Sequence, residues 1–157
     1  MLANEFMKVW YKLQRDYKSH MEQSLAPDLT EAQLVVLEYI MNHEQVKPSD
    51  LIDYLATTPA AVTTLLDRMV KNELIVRQRN EQDRRIVWIR LTEKGRRAGE
   101  EGLRIRNAYI QRGLDRISRH GRHLLIYLLG RMAEGLEGRE RSAPPEAEQP
   151  ELKTQET

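Results

Sequence analysis

The chain has 157 residues, 31% of them charged and 40% hydrophobic, with a formal net charge of +1 and no cysteine. That length suits one domain with a real core and is too short for two full ones. No apolar run approaches the roughly 20 residues of a membrane span, no signal-peptide pattern opens the chain, and zero Cys removes disulfides and thiolate metal sites, so a cytoplasmic protein is expected.

Phe6, Trp10, Leu13, Tyr17 and Met21 recur at steps of three and four, which predicts an amphipathic first helix ended by Pro27 and Asp28. Thr30-Glu31-Ala32-Gln33 has the form of a capping box, and Leu34, Leu37, Ile40 and Met41 continue as a second amphipathic helix. His43 to Lys47 reads as a turn, with Pro48 in the first turn of a third helix. Thr57-Thr58-Pro59 repeats the device: a Thr able to cap, then Pro at the first helical position. In this fourth helix Val62, Leu65, Leu66, Met69 and Val70 are predicted to face inward. Ala60, Ala61, Thr63 and Thr64 are left near its start, small enough to approach another surface closely.

Leu74 and Ile75 lead into a strand-like IVRQR, a loop NEQDRR and a second strand-like IVWIRL, where Val87, Ile89 and Leu91 alternate with Trp88 and Arg90. After Thr92 a long, highly charged helix is predicted, with Leu103, Ile110, Leu114 and Ile117 on one side. A turn near Ser118–Gly121 precedes a last helix carrying Leu124, Leu125, Leu128, Leu129, Met132 and Leu136. Apolar stripes on such long terminal helices need a partner, and a second copy of the chain is the simplest one. From Ser142 the Pro/Glu/Gln-rich sequence reads as disordered.

The predicted fold is mainly α with a small β-hairpin: a winged helix-turn-helix whose N- and C-terminal helices form a dimerisation region. The expected boundaries are 1–28 for an N-terminal dimerisation helix and 29–95 for the DNA-binding domain. Residues 96–139 would be C-terminal dimerisation helices and 140–157 a disordered tail. Charge segregates accordingly. Between Ile75 and Arg97 eight basic residues stand against three acidic ones, whereas the segment from Glu140 to Thr157 has five acidic and two basic. Positive charge is thus concentrated where phosphate contacts need it.

The helix opening at Thr58 and Pro59 is the expected major-groove element. The Thr hydroxyls can bond to bases, and the methyls of Ala60, Ala61, Thr63 and Thr64 can meet thymine methyl groups. Arg, Asn and Gln are missing from its first half, so strong bidentate base readout is not offered there. At the wing tip Arg84 and Arg85 can reach a narrow minor groove, with Asp83 expected to orient Arg85 through a bidentate ion pair on a strand-like backbone. Arg68, Arg77 and Arg90 read as phosphate clamps, or alternatively as members of surface ion pairs with Asp67 or Glu73.

LTEAQLVVLEYI and the run from Pro48 to Gly95, with its DRR wing followed by LTEKG, resemble the MarR (multiple antibiotic resistance regulator) family over roughly Phe6 to Glu137. The resemblance implies a homodimer built from the first and last helices, a palindromic double-stranded operator, and Arg85, supported by Asp83, in the minor groove. It further implies a small aromatic or phenolic ligand bound between the dimerisation and DNA-binding regions. Trp10, Tyr11, Tyr17, His20, Tyr39 and His43 are the candidate ligand contacts, although core or dimer packing explains most of them better, Trp10 and Tyr17 above all. Two departures stand out. Asn72-Glu73-Leu74 replaces the usual Gly before Leu, with Asn72 the residue better able to turn left-handed, and no cysteine is available for thiol sensing.

His20/His43 and His120/His123 lack the further ligands a zinc site needs, so no metal and no cofactor are expected. No nucleophile–base pair or Gly-rich phosphate loop suggests an enzyme. The leading expectation is a sequence-specific, DNA-binding transcriptional regulator, a repressor by family habit. The alternative is a winged-helix module binding an acidic protein partner.

Overall fold

The computed structural model describes residues 1–27 and 29–140, so the predicted break at Asp28 and the tail from residue 141 onward lie outside the described residues. Helices α1 (Leu2–Ser24), α2 (Glu31–Met41), α3 (Pro48–Leu55) and α4 (Pro59–Lys71) come first. Strands β1 (Ile75–Arg79) and β2 (Val87–Leu91) follow, then α5 (Glu93–Leu114) and α6 (Arg119–Glu140). The chain forms two compact units, Met1–Arg112 and Gly113 onward. The expected mainly helical fold with a winged helix-turn-helix is what the first unit contains.

The helix starts follow the side-chain chemistry. Thr30 Oγ1 accepts from the Gln33 N–H at 3.3 Å while Gln33 Oε1 accepts from the Thr30 N–H at 3.0 Å. Asp50 Oδ2 accepts from the Lys47 N–H at 2.7 Å, with Pro48 at the first position of α3. Thr58 Oγ1 accepts from the Ala61 N–H at 3.2 Å at the start of α4. α2 is buried on more than one face (Leu34, Val36, Leu37 and Ile40), and the core around it is closed by Leu51, Val62, Leu66, Met69, Leu74, Ile75 and Ile89.

In the hairpin Ile75 lies opposite Leu91 and Arg79 opposite Val87. The segment predicted as a plain turn at 43–47 contributes more. The Ile89 N–H donates to the Val46 carbonyl at 2.8 Å, and Val46 is buried. One β-bridge thereby covers the free edge of β2.

Several inward faces differ from the periodicity reading. Of the α1 stripe only Met21 is buried and Tyr17 packs on the core, whereas Leu13 is 61% exposed and Trp10 stacks on Phe6. Val70 is 37% exposed rather than inward. α5 presents Gly95, Gly99 and Gly102 to the core, while Ile110 is exposed and Ile117 lies beyond the helix. At Gly99 a Cβ would stand 3.0 Å from Met41 Sδ and 3.3 Å from Leu37 Cβ, so this face works by close backbone approach. Leu103 packs on the core as its periodicity predicts, but glycine carries no apolar signal, which is why a hydrophobic count misses the glycines beside it.

In the second unit the turn is at 115–118, and Gly121 belongs to α6. Ser118 Oγ accepts from the Gly121 N–H at 3.2 Å, and Arg122 pairs with Asp115 at 3.2 Å. Leu124, Leu125, Leu128, Leu129, Met132 and Leu136 are all between 37% and 62% exposed in the single chain.

Candidate nucleic-acid interface

α3 and α4 are joined by a short turn in which Ala56 takes a left-handed conformation (φ 46°). This leaves Thr58, Pro59, Ala60, Ala61, Thr63 and Thr64 exposed at the start of α4. Their small size leaves an open groove of about 640 Å³ that runs from Leu55 to Arg68. The hydroxyls are already engaged: Thr63 donates to the Pro59 carbonyl at 2.9 Å and Thr64 to the Ala60 carbonyl at 3.0 Å. Toward the outside they therefore offer oxygen lone pairs and methyl groups. Those suit adenine N6–H or cytosine N4–H donors and thymine methyls.

α4 ends with Glu73, not Asn72, in the left-handed region (φ 59°). The Leu74 N–H bonds back to the Met69 carbonyl at 2.9 Å and the Glu73 N–H to the Val70 carbonyl at 3.0 Å, a Schellman ending. The geometry requires αL one residue later than the Asn, so Glu73 adopts it despite its Cβ.

The wing is a chain of local turns rather than a strand. Asn80 Oδ1 accepts from the Gln82 N–H at 2.7 Å and the Asp83 N–H at 3.1 Å. The Asn80 N–H donates to the Ile86 carbonyl at 2.9 Å, and the Ile86 N–H to the Asp83 carbonyl at 3.0 Å. Asp83 Oδ1 accepts from the Arg85 backbone N–H at 3.0 Å. The expected strand-like Asp83–Arg85 guanidinium pair is corrected by this: Asp83 shapes a β-turn whose two central residues are Arg84 and Arg85. Among the described residues neither of these guanidiniums meets a carboxylate, and both are exposed. Asn80 was missed from sequence, although an Asn at the end of a strand-like run is a recognisable turn starter.

The remaining cations divide. Arg77 pairs with Asp67 at 2.7 Å and ties β1 to α4, the surface-pair alternative. Arg68 is exposed on α4, one turn beyond Thr64. Arg90 lies on the outer strand face opposite Val76. Lys47 sits 5.2 Å from the centre of the Trp88 ring, a cation–π contact not anticipated from sequence.

Among the described residues the six candidate ligand contacts fall into separate clusters. Tyr11 and Tyr17 line an open groove of about 580 Å³ with Arg15, Lys18 and Glu31. His20 stacks on Tyr109 at 4.3 Å, and Tyr39 is flanked by His43 at 4.0 Å and Tyr54 at 4.5 Å. Burial, and then the hydrogen bond to Glu31, push the Tyr17 hydroxyl up to about 12. Between these clusters Arg106 makes a bidentate pair with Glu38 at 2.6 and 2.7 Å, which joins α5 to α2 and holds the Glu38 carboxyl below its usual range.

Comparison with known proteins agrees with this geometry. The MarR family model matches residues 29–87. The HTH-type transcriptional repressor MdtR of Bacillus subtilis is 30% identical over 129 residues, covering 82% of this chain and 81% of that protein. The transcriptional regulator HosA of Escherichia coli is 25% identical over 127 residues, covering 80% and 94%. Among solved structures, YusO from Bacillus subtilis shares 28% identity with a TM-score of 0.66, covering 85% of this chain and 95% of that one. The S. aureus MepR–DNA complex shares the fold at 24% identity and a TM-score of 0.74, covering 83% and 97%. With a helix-turn-helix, an arginine-tipped wing and these relatives, the chain belongs to the MarR family and is a DNA-binding transcriptional regulator, not an enzyme.

Proposed function

We propose that the chain acts as a homodimeric repressor that reads a palindromic double-stranded operator and whose DNA affinity is tuned by a small aromatic or phenolic ligand. The start of α4 enters the major groove, with Arg68 on the backbone phosphates, while Arg84 and Arg85 enter the minor groove. The observation that carries this reading is the wing turn, which holds at its tip two arginines that meet no carboxylate among the described residues. The exposed apolar residues of α6, together with Val9 and Leu13 of α1, support a second copy as the partner. Repression is supported by the similarity to MdtR, a named repressor. The Tyr11–Tyr17 groove is large enough for a small ligand.

Two copies must place their recognition helices about 34 Å apart, one helical turn of DNA. A ligand that prefers a dimer with another spacing weakens binding by its differential affinity. Selection from a random duplex library, followed by salt titration, tests the reading. The expected result is a palindromic consensus with steeply salt-dependent affinity, and Arg85→Ala should lower both affinity and salt slope, the slope by about 2 because each protomer loses one cation. No duplex binding at low salt, with capture of acidic polypeptides instead, would transfer the wing to a protein partner. For the dimer, Leu128→Asp should shift sedimentation from dimer to monomer.

A further inference from the structure

The wing sheet has a second face that the core leaves uncovered. Ile75 and Ile89 are buried, so strand alternation turns Val76, Gln78, Trp88 and Arg90 to the other side. Val76 stands opposite Arg90 there, and Gln78 opposite Trp88. The bridge between Val46 and Ile89 brings in Lys47, whose ammonium lies 5.2 Å from the centre of the Trp88 ring. Val76, Gln78 and Arg90 are exposed and Trp88 is half-buried. Among the described residues neither Lys47 nor Arg90 meets a carboxylate. Asp50 is turned instead to the Lys47 backbone N–H, at the start of α3. Held by a ring rather than by an acid, the Lys47 ammonium is positioned and keeps its full charge. Arg77, on the core side of the sheet, is by contrast offset by Asp67 at 2.7 Å.

We infer that this outer face docks the sugar–phosphate backbone of duplex DNA beyond the base pairs that the wing tip enters. Lys47 and Arg90 meet phosphates, and the Gln78 amide is a further donor. Phosphate oxygens accept from cations and amides alike, and such contacts carry no base preference. Continuity with the wing tip selects DNA over an acidic polypeptide. From Ile86, where the wing turn ends, Trp88 lies about 7 Å and Arg90 about 13 Å along the strand. Those lengths match the rise of roughly two to four base pairs. A duplex held at Arg84 and Arg85 therefore has backbone within a few base pairs of both cations. The inference rests on the operator reading and adds to each half-site a flank that is read for charge alone.

Two duplexes carrying the selected operator test it. One is trimmed to the consensus, and the other is extended at each end by about six base pairs of arbitrary sequence, roughly 20 Å of helix. Anisotropy titrations of the full-length protein over a range of salt are expected to show tighter binding to the long duplex. Its salt slope should be steeper by about 4, from two cations on each of two protomers. Exchanging the flank sequence should leave the affinity within about twofold. Lys47→Gln should remove about 2 of the added slope and leave the trimmed duplex within about twofold of the parent. Hydroxyl-radical cleavage of the parent complex needs no variant: sugars roughly two to four base pairs outside the consensus should be protected.

Equal affinity and slope for the two duplexes, protection that stops at the consensus edge, or an undiminished slope difference in Lys47→Gln would each overturn the inference. Polyglutamate binding that Lys47→Gln abolishes, with the long duplex bound as before, would assign the face to an acidic protein and overturn it too. Failure to bind either duplex at low salt would defeat the operator reading itself.

Discussion

A Cβ on Gly95 would lie 1.8 Å from the carbonyl oxygen of Leu74, so the start of α5 rests directly on the chain leaving the recognition helix. Thr92 completes the junction. Its hydroxyl donates to the Glu73 carbonyl at 2.6 Å, with the Leu74 carbonyl at 3.0 Å, and it accepts from the Gly95 N–H at 2.9 Å. The orientation of α4 and the first turn of α5 are therefore set by the same few backbone groups.

Gly95→Ala is expected to destabilise the protein by about 3 kcal/mol or more, because a backbone carbonyl has to move. Gly99→Ala meets chiefly the Met41 sulfur at 3.0 Å, the end of a flexible side chain. It also gains about 1 kcal/mol of helix propensity, so its stability should stay within about 1 kcal/mol of the parent. Denaturant melts of both variants check the contrast, and equal losses would contradict it.

Glu73→Gly should stabilise the protein by about 1 kcal/mol, since it relieves a left-handed non-glycine residue. The pair that it removes, Glu73–Lys94 at 3.7 Å, is exposed and contributes little. A melting temperature measured at fixed protein concentration should rise; a fall would mean that the ion pair outweighs the backbone term.

The Glu38–Arg106 pair gives an acid-side signature. Hydrogen bonding to Arg106 lowers the folded carboxyl below its ordinary 4.5, so its stabilisation is present above that value and lost as pH falls through the lowered one. Glu38→Gln should reduce stability by about 1–2 kcal/mol at neutral pH and flatten the melting temperature's decline below pH 4.5. An unchanged acid limb in the variant would remove the pair from the pH response.

Asp83 offers a direct choice between a turn former and a partner for the Arg85 guanidinium. Asn retains the acceptor that receives the Arg85 N–H at 3.0 Å, while Ala does not. Asp83→Asn should therefore bind duplex DNA within about twofold of the parent, and Asp83→Ala should bind several-fold more weakly, consistent with about 1 kcal/mol for one hydrogen bond. If Asn behaves like Ala, charge rather than turn geometry is what Asp83 contributes.

The parts legible in the sequence are those decided by neighbours along the chain. The Thr30–Gln33 box, Thr58 before Pro59 and the bounds of β1 read correctly because caps, prolines and strand alternation act over two to four residues. Arg84 and Arg85 were placed at a wing tip by the same local logic. What the sequence by itself determined, then, is a MarR-type order of elements with cations gathered on the wing.

Only the tertiary structure decided which surfaces meet. It set a glycine face beside Leu103 on α5 and exposed Ile110, added Val46 to the hairpin, exposed Val70, and moved the left-handed turn from Asn72 to Glu73. It also divided the arginines, giving Arg77 to Asp67 and leaving Arg84 and Arg85 exposed at the wing tip. Hydrophobic periodicity measures how much a residue gains by leaving water. It does not register close approach by residues without side chains, or the ion partners that folding brings from distant parts of the chain.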